Sequence, residues 1–451
     1  MAYGMGKRAG LLMAAIWLVG LPWLLPGEPA IRYGLTVLAV IATLWLTEAI
    51  HVSLTALLVP LLVAAFGLMP LGKALGAFAH PVIFLFLGGF ALAAALHTQQ
   101  LDRYLATRVI QLAGGRPLRA ILLLFLATAV LSMWISNTAT VAIMLPLALG
   151  LLRRPEANVS EGTSIFVLLG IAYSGSLGGL GTLVGSPPNA IAAAYAGIQF
   201  KDWLLHGLPM MLLLWPLMLG VLYLLLRPDF SGLSFPTDEP DDSGRWRWTR
   251  ARQLTLLIFA VTVTGWMGSG LWGPWLGIDQ MDSWVALLAI ALLGLTRVAG
   301  WKEIEQQTEW GVLLLFGGGL CLSGMLQASG CSTFLAGLVL DWLQGMPVWL
   351  TLLAITCFVV FLSEMTSNTA TAALMIPLLV PLAGPLGIHP MAMAALIAMA
   401  ASCAFMLPVA TPPNALVFAT GMVPQRRMMR CGVVLDLACG SLLATAIALF
   451  G

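Results

Sequence analysis

The pentapeptide Ser-Asn-Thr-Ala-Thr occurs twice in this chain, at Ser136–Thr140 and at Ser367–Thr371. Hydroxyl and amide oxygens suit a small hard cation, and the backbone N–H groups of a helix start suit an anion. Each copy lies between two short apolar arms, which predicts a hairpin with the polar residues at its tip. A second motif also repeats, as SPPNA at Ser186–Ala190 and as TPPNA at Thr411–Ala415. We expect these four segments to form one site.

The two Pro-Pro-Asn segments are typical of helix starts. Ser186 and Thr411 are of the type that caps a helix N-terminus, and Pro187 and Pro412 suit the first helical position, where no N–H is needed. In the SNTAT segments the Asn or the Thr is expected to cap in the same way. A helix that begins at the membrane midplane points N–H groups into a cavity, while a helix that ends there presents free carbonyls. Each break therefore predicts an anion pole beside a cation pole.

The composition indicates a multi-pass α-helical membrane protein. The chain has 451 residues, of which 60% are hydrophobic and 9% are charged, against about 25% charged in soluble domains. Apolar runs near the ~20 residues that cross a bilayer recur along its length. We expect an all-α fold with eleven transmembrane helices, two re-entrant hairpins and two broken helices. The predicted spans are 11–26, 31–50, 53–69, 79–98, 162–182, 206–226, 253–272, 283–300, 309–327, 390–408 and 431–450.

The distribution of basic residues tests this scheme, because cytoplasmic loops of membrane proteins are rich in Lys and Arg. With a cytoplasmic N-terminus and both hairpins re-entrant, only Arg32, Lys73 and Lys201 of the 21 basic residues face outwards. Six basic residues flank the first hairpin, whereas residues 330–389 around the second contain none. One hairpin is therefore predicted to enter from the cytoplasm and the other from outside. We expect a cell (inner or plasma) membrane protein with an external C-terminus.

The repeat extends beyond the two motifs, since FLGGFALA at Phe86–Ala93 parallels FGGGLCLS at Phe316–Ser323. Broken helices and hairpins repeated with opposite orientation are typical of a secondary transporter with its site near the bilayer midplane. The predicted units are a first transmembrane helix in 1–30; repeat 1 in 31–226, with its hairpin at 117–153 and its break near 183–190; a cytoplasmic linker in 227–252; and repeat 2 in 253–451, with its hairpin at 347–384 and its break near 409–415.

No Lys or Arg falls near the middle of any predicted span. An anion bound at that depth must be balanced by helix N-termini and co-bound cations, because an uncompensated charge there costs several kcal/mol. Oxygen ligands favour Na⁺ as the cation, whereas proton coupling would need a titratable group. Glu364 is the one such candidate close to the motifs. Net charge is +2, with the basic residues scattered among short loops, and nucleic-acid binding is not expected.

Two SNT motifs, each followed by a Pro-Pro-Asn break, resemble the divalent anion/sodium symporters, which carry di- and tricarboxylates or sulfate. The resemblance covers nearly the whole chain and implies a homodimer with a fixed scaffold and a sliding transport unit. The substrate residues that it implies are Ser136, Asn137, Thr138, Ser186, Pro187, Ser367, Asn368, Thr369, Thr411 and Pro412. The sodium ligands that it implies are Ser132, Ser136, Asn137 and Gly185 for one ion, and Ser363, Thr366 (through its carbonyl), Asn368 and Ala410 for another.

The predicted function is sodium-coupled import of C4-dicarboxylates such as succinate, malate and fumarate, by an elevator-type mechanism. The expected partners are the dicarboxylate, Na⁺, membrane lipid and a second copy of the chain. A dicarboxylate exchanger, a citrate or sulfate carrier on the same scaffold and a channel-like anion pore stay open as alternatives. An enzyme is not expected, because no Asp/Asp pair, no His-Glu-x-x-His motif and no Ser with a base occurs at a plausible depth in the membrane.

Overall fold

A computed structural model of the chain describes residues 2–25, 28–114, 116–152, 159–231, 247–343 and 345–450. Within these ranges every regular element is helical and no strand occurs, which confirms the predicted all-α class. Most of the predicted linker lies outside the described residues, as do Arg153 and Arg154 at the foot of the first hairpin.

Helix α1, Ala2–Leu24, comes before the first repeat, which holds ten helices. They are α2 Pro29–Thr47, α3 Val52–Ala65, α4 Leu71–Gly76, α5 Pro81–Thr98, α6 Leu101–Gln111, α7 Pro117–Ser132, α8 Asn137–Leu152, α9 Glu161–Gly178, α10 Pro187–Ala196 and α11 Phe200–Leu226.

The second repeat follows the same order, with one short extra helix near its start. Its members are α12 Arg250–Met267, α13 Ser269–Leu276, α14 Met281–Leu295, α15 Trp301–Gln307, α16 Trp310–Ala328, α17 Cys331–Leu343, α18 Val348–Met365, α19 Asn368–Leu379, α20 Pro390–Ser402, α21 Pro412–Phe418 and α22 Gln425–Phe450. Helices α7 and α8 form the first hairpin, and α18 and α19 form the second.

Seven helices of the described residues are long and apolar enough to cross a membrane, or eight if α12 and α13 count as one span bent by 79°. The count of eleven stays a prediction. The predicted span 253–272 is wrong at its end, because the chain bends after Met267. The predicted span 390–408 also overruns: α20 ends at Ser402, since backbone N–H groups that follow donate to buried carboxylates rather than to helix carbonyls.

The Gly-rich helix of each repeat packs against a helix of the other repeat. A Cβ on Gly88 of α5 would lie 2.5 Å from the Cβ of Ala286 in α14. In the same way, a Cβ on Gly318 of α16 would lie 2.6 Å from the Cβ of Ala56 in α3. Small residues permit such close backbone approach, which is how helices associate without a hydrophobic driving force. The two crossings join the repeats into one scaffold.

We expect Gly318→Ala to destabilise the protein by about 1–3 kcal/mol, because the added methyl group would force α16 away from the backbone of α3. Gly324→Ala in the same helix is the control, since its Cβ would meet only the Met69 side chain at 3.7 Å. Thermal unfolding of both variants in detergent measures the difference. Equal melting temperatures for the two variants would contradict this account of the crossing.

Candidate functional site

The two hairpin tips and the two helix breaks surround one cavity of about 340 Å³. All ten residues predicted to bind substrate line it, as do Gly185 and Ala410, two predicted sodium ligands that are not in the substrate set. The other ligands not shared with the substrate set, Ser132, Ser363 and Thr366, are buried behind the tips. The structure therefore brings the four repeated segments together, as their order in the chain predicts.

Behind the first tip, polar atoms from three segments converge. The Ser132 hydroxyl donates to the Gly175 carbonyl at 2.7 Å. One amide atom of Asn137 lies 2.7 Å from Ser132 Oγ, 3.2 Å from the Gly175 oxygen and 3.3 Å from the Gly185 oxygen. If that atom is nitrogen, it donates to these oxygens. If it is oxygen, four oxygens face one another, which is the arrangement that a hard cation requires.

The second tip has the same layout. The Ser363 hydroxyl lies 2.9 Å from Asn368 Oδ1 and 2.5 Å from the Ala401 oxygen. The Thr366 hydroxyl lies 2.7 Å from that of Thr371 and donates to a helix carbonyl at 3.0 Å. Both contacts occupy the Thr366 hydroxyl, so the group that this residue could still offer a cation is its backbone carbonyl, as the family resemblance implies.

The helix starts at the breaks differ in how they are capped. At α21 the Thr411 hydroxyl accepts from the backbone N–H of Asn414 at 3.2 Å, as a capping hydroxyl should. At α10 the expectation was wrong: Ser186 occupies the N-cap position, but its hydroxyl makes no capping bond and lies 3.4 Å from that of Ser402. Contact between the two breaks replaces the local cap there.

At the first hairpin tip the capping residue is a serine, not the Asn or Thr that we expected. Ser136 Oγ accepts from the backbone N–H of Ala139 at 3.4 Å. Asn137 is unable to cap, because its side chain turns back to Ser132. At the second tip Ser367 holds the N-cap position without a side-chain bond.

The asparagine of each Pro-Pro-Asn segment is a site residue that the sequence reasoning missed. Asn189 donates from Nδ2 to the carbonyls of Gly179 and Thr182 at 2.9 and 2.8 Å. Asn414 makes the equivalent pair of bonds to the loop before α21, at 3.2 and 3.0 Å. Both side chains are 0% exposed. Each asparagine therefore ties down the irregular backbone that supplies carbonyls to the site; the repeated SPPNA/TPPNA motif was the available signal.

Glu364 does not line the cavity. Its two carboxylate oxygens accept from the backbone N–H groups of Met406 and Leu407 at 2.6 and 2.8 Å. Asp436 of α22 accepts from the N–H of Phe405 at 3.3 Å. Both acids are buried. Glu364 thus holds the loop between α20 and α21 from behind.

The cavity itself is acidic. Its lining includes Glu48 and Glu309, and none of the described residues that line it is Lys, Arg or His. Glu309 lies at the start of α16 and lines the same cavity as Ser136 of the first tip. Over the whole described part of the chain, no Lys, Arg or His is buried. Among the described residues that line the cavity, helix N-termini are therefore the source of positive potential.

Two hairpin tips and two broken helices around a central polar cavity, in a multi-pass helical protein, define a secondary transporter. The model of the citrate transporter family matches residues 42–398. The chain therefore belongs to this family of membrane transporters, and the resemblance to divalent anion/sodium symporters is confirmed. Because the family and the relatives are transporters, the chain is not an enzyme, as predicted.

Curated relatives cover most of the chain. It is 49% identical to an uncharacterized transporter of Haemophilus influenzae, over 93% of this chain and 92% of the relative. It is 34% identical to the sodium-dependent dicarboxylate transporter SdcS of Staphylococcus saprophyticus, over 97% and 90% of the two chains.

Two solved structures share the fold. One is the YdaH transporter of Alcanivorax borkumensis, with a TM-score of 0.56 and 16% identity over 83% of this chain and 87% of that one. The other is MtrF of Neisseria gonorrhoeae, described as an antimetabolite efflux pump, with a TM-score of 0.57 and 13% identity over 84% and 83%. At these identities they support the fold alone.

We expect Asn414→Ala to lower stability by about 1–3 kcal/mol, because two buried loop carbonyls lose their donor. The control is Ser441→Ala, whose exposed hydroxyl bonds only to its own helix. Melting temperatures in detergent compare the two variants. An Asn414→Ala protein as stable as the Ser441→Ala protein would show that the tie does not hold the loop.

Proposed function

We propose that the chain is a sodium-coupled symporter of C4-dicarboxylates such as succinate, malate and fumarate. The observation that carries the proposal is a cavity that offers hydroxyl groups and helix N-termini, contains two glutamates and lacks any basic side chain. A dianion entering such a cavity adds negative charge to a site that already holds acids. Cations must therefore enter with it, because an uncompensated charge at this depth costs several kcal/mol.

Sodium is the cation that the oxygen clusters favour. The first ion would lie among Ser132, Ser136, Asn137 and Gly185, where the amide oxygen of Asn137 would face other oxygens. Oxygens at 2.7–3.3 Å repel one another unless a proton or a cation lies among them. The second ion would lie among Ser363, Thr366, Asn368 and Ala410. Three of these correspond in the repeat to Ser132, Asn137 and Gly185, whereas Thr366 has no counterpart in the first set. Neutral hydroxyl, amide and carbonyl ligands suit an alkali cation and leave the ion's charge free to attract the anion.

The substrate carboxylates would bind between the tips and the breaks. Ser136 and Thr138 at one tip, and Ser367 and Thr369 at the other, offer hydroxyl donors to the cavity. Helices α8 and α19 start beside it at the tips and direct free N–H groups towards it. Helices α10 and α21 also start there, but each begins with two prolines that have no N–H, so they contribute the positive ends of their dipoles. Two tips of the same composition favour a short anion with a carboxylate at each end.

The comparisons support a carboxylate as the substrate. A relative that covers nearly the whole chain carries the name of a sodium-dependent dicarboxylate transporter, and the matching family model is that of citrate transporters. Citrate or sulfate transport, or exchange of one dicarboxylate for another, would use the same cavity. In our proposal the protein is a homodimer in the cell membrane, with the scaffold fixed and the hairpins sliding with the broken helices.

We expect uptake of labelled succinate into proteoliposomes to require an inward Na⁺ gradient and to saturate with succinate. Asn137→Ala and Asn368→Ala should each abolish the Na⁺-stimulated part, because each removes a ligand shared by an ion and the substrate. Thermal unfolding of both variants confirms that the protein remains folded.

Other outcomes of this assay would reject symport. Uptake that persists without Na⁺ but needs internal dicarboxylate would identify an exchanger. Flux that does not saturate would identify a pore. An anion panel competing with succinate then ranks malate, fumarate, citrate and sulfate.

We also propose the orientation with a cytoplasmic N-terminus and an external C-terminus. Single cysteines placed beside Arg153 and beside Gly384 should react with an impermeant thiol reagent from opposite faces of the membrane, because the two hairpins enter from opposite sides. Reaction of both from the same face would refute the inverted topology.

A further inference from the structure

A second cavity, of about 580 Å³, runs along one face of α8. Ala139, Ala142 and Pro146 form part of this wall. The opposite wall is formed by the end of α5, by α6 and by Gln307 of α15. The cavity starts beside the first hairpin tip and shares Ala93 with the central cavity. It therefore lies between the substrate site and the foot of the first hairpin.

The second hairpin has no such space at the equivalent positions. Ala142 of α8 is exposed, whereas its counterpart in the repeated motif, Ala373 of α19, is 0% exposed. A Cβ on Gly319 of α16 would lie 3.1 Å from the Cβ of Ala373. Gly89, the counterpart of Gly319, lines the open central cavity instead. In the second repeat α19 therefore packs directly against α16, whereas in the first repeat the corresponding space between α8 and α5 is empty.

At the tips the exposure is reversed: residues of the second repeat are exposed there, whereas their counterparts in the first are packed. Met365 at the second tip is 78% exposed, whereas its counterpart Trp134 packs edge-on against Phe259 with ring centroids 5.1 Å apart. Val409 beside the second break is 84% exposed, whereas its counterpart Val184 lies against Gly89. The tip of a re-entrant hairpin points away from the face by which it enters. In the proposed topology the two hairpins enter from opposite faces, so the tip of the second points towards the face that holds the foot of the first. The exposed arm α8 and the exposed second tip therefore open towards that same face.

Arg103 lies at the mouth of this path. Three other polar residues line the cavity: Thr107 and Gln307 are neutral, and His97 is paired with the buried Asp102 at 2.8 Å. The Arg103 side chain is exposed and lines the cavity. The equivalent position on α17 is Thr333, so the second repeat offers no matching cation.

We propose that the cavity beside α8 is the open path between the central site and the face of the first hairpin's foot, and that Arg103 binds the substrate anion in transit. The choice of a dicarboxylate as that anion rests on the proposed function. A single guanidinium opposite an apolar wall raises the local concentration of anions at the mouth of the path. It does not trap them, because the remaining lining offers few donors.

The test uses Ala142→Cys on the cavity wall and two thiol reagents of opposite charge, sulfonatoethyl and trimethylammonioethyl methanethiosulfonate. We expect the cysteine to react, and the added change Arg103→Gln to slow the anionic reagent about threefold or more relative to the cationic one. Arg108→Gln on the same helix is the matched control, since its guanidinium bonds to Gln111 and lies over Tyr104. Labelling of the chain without added cysteines gives the background.

Ala373→Cys, the counterpart on α19, should stay unlabelled in the same state. An unreactive Ala142→Cys would overturn the path, and equal effects of Arg103→Gln and Arg108→Gln would overturn the role of Arg103. These results depend on reagent charge alone, so they hold even if no dicarboxylate is transported and the proposed function fails.

Transport gives the second readout. In exchange assays with the other compartment saturated and succinate varied at the face of the first hairpin's foot, Arg103→Gln should raise the KM for succinate about threefold or more, with Arg103→Lys restoring it. An unchanged KM in Arg103→Gln would show that the guanidinium does not act on the substrate, even where the thiol reagents confirm the path.

Discussion

The proposed function depends on one electrostatic constraint: an anion would have to bind deep in a membrane protein at a site without a basic side chain. Two glutamates line the cavity, and no Lys, Arg or His is buried in the described part of the chain. Charge neutralisation must come from helix N-termini and from ions that arrive with the substrate. This explains why four helices are interrupted at the same place, although continuous helices would satisfy more backbone hydrogen bonds. In the proposed function it would also make binding of cation and anion mutually dependent.

Interrupted helices leave irregular backbone that needs support from behind. The paired asparagines Asn189 and Asn414 provide it in both repeats, and Glu364 with Asp436 adds it in the second alone. The scaffold is built differently, from glycines that let helices of the two repeats cross at close range. Rigid crossings in one part and individually tied loops in another are compatible with a transport unit that moves as a body.

Much of the fold and of the site could be predicted from the sequence, because the polar motifs are rare in so apolar a chain. The tips, the breaks and all ten expected substrate residues meet in one cavity. Helix ends were harder to predict: α20 stops at Ser402 because acids distant in sequence accept the next N–H groups. The caps at Ser186 and Asn137 were wrong for a related reason, since each side chain has a tertiary partner. Glu309 was missed because it reaches the cavity from the scaffold. The different exposure of the two hairpins could not be predicted from the repeated motifs, because it depends on how closely α8 and α19 pack against helices outside the motifs.

The central claim is that the anion binds only together with sodium. Calorimetric titration of the purified protein with succinate, in Na⁺ and in an equal concentration of choline, tests this claim without any flux. The account predicts saturable heat in Na⁺, an affinity that rises with Na⁺ concentration, and no measurable binding in choline. Equal affinity in the two solutions would contradict it, because the site would then be neutralising the dianion by itself.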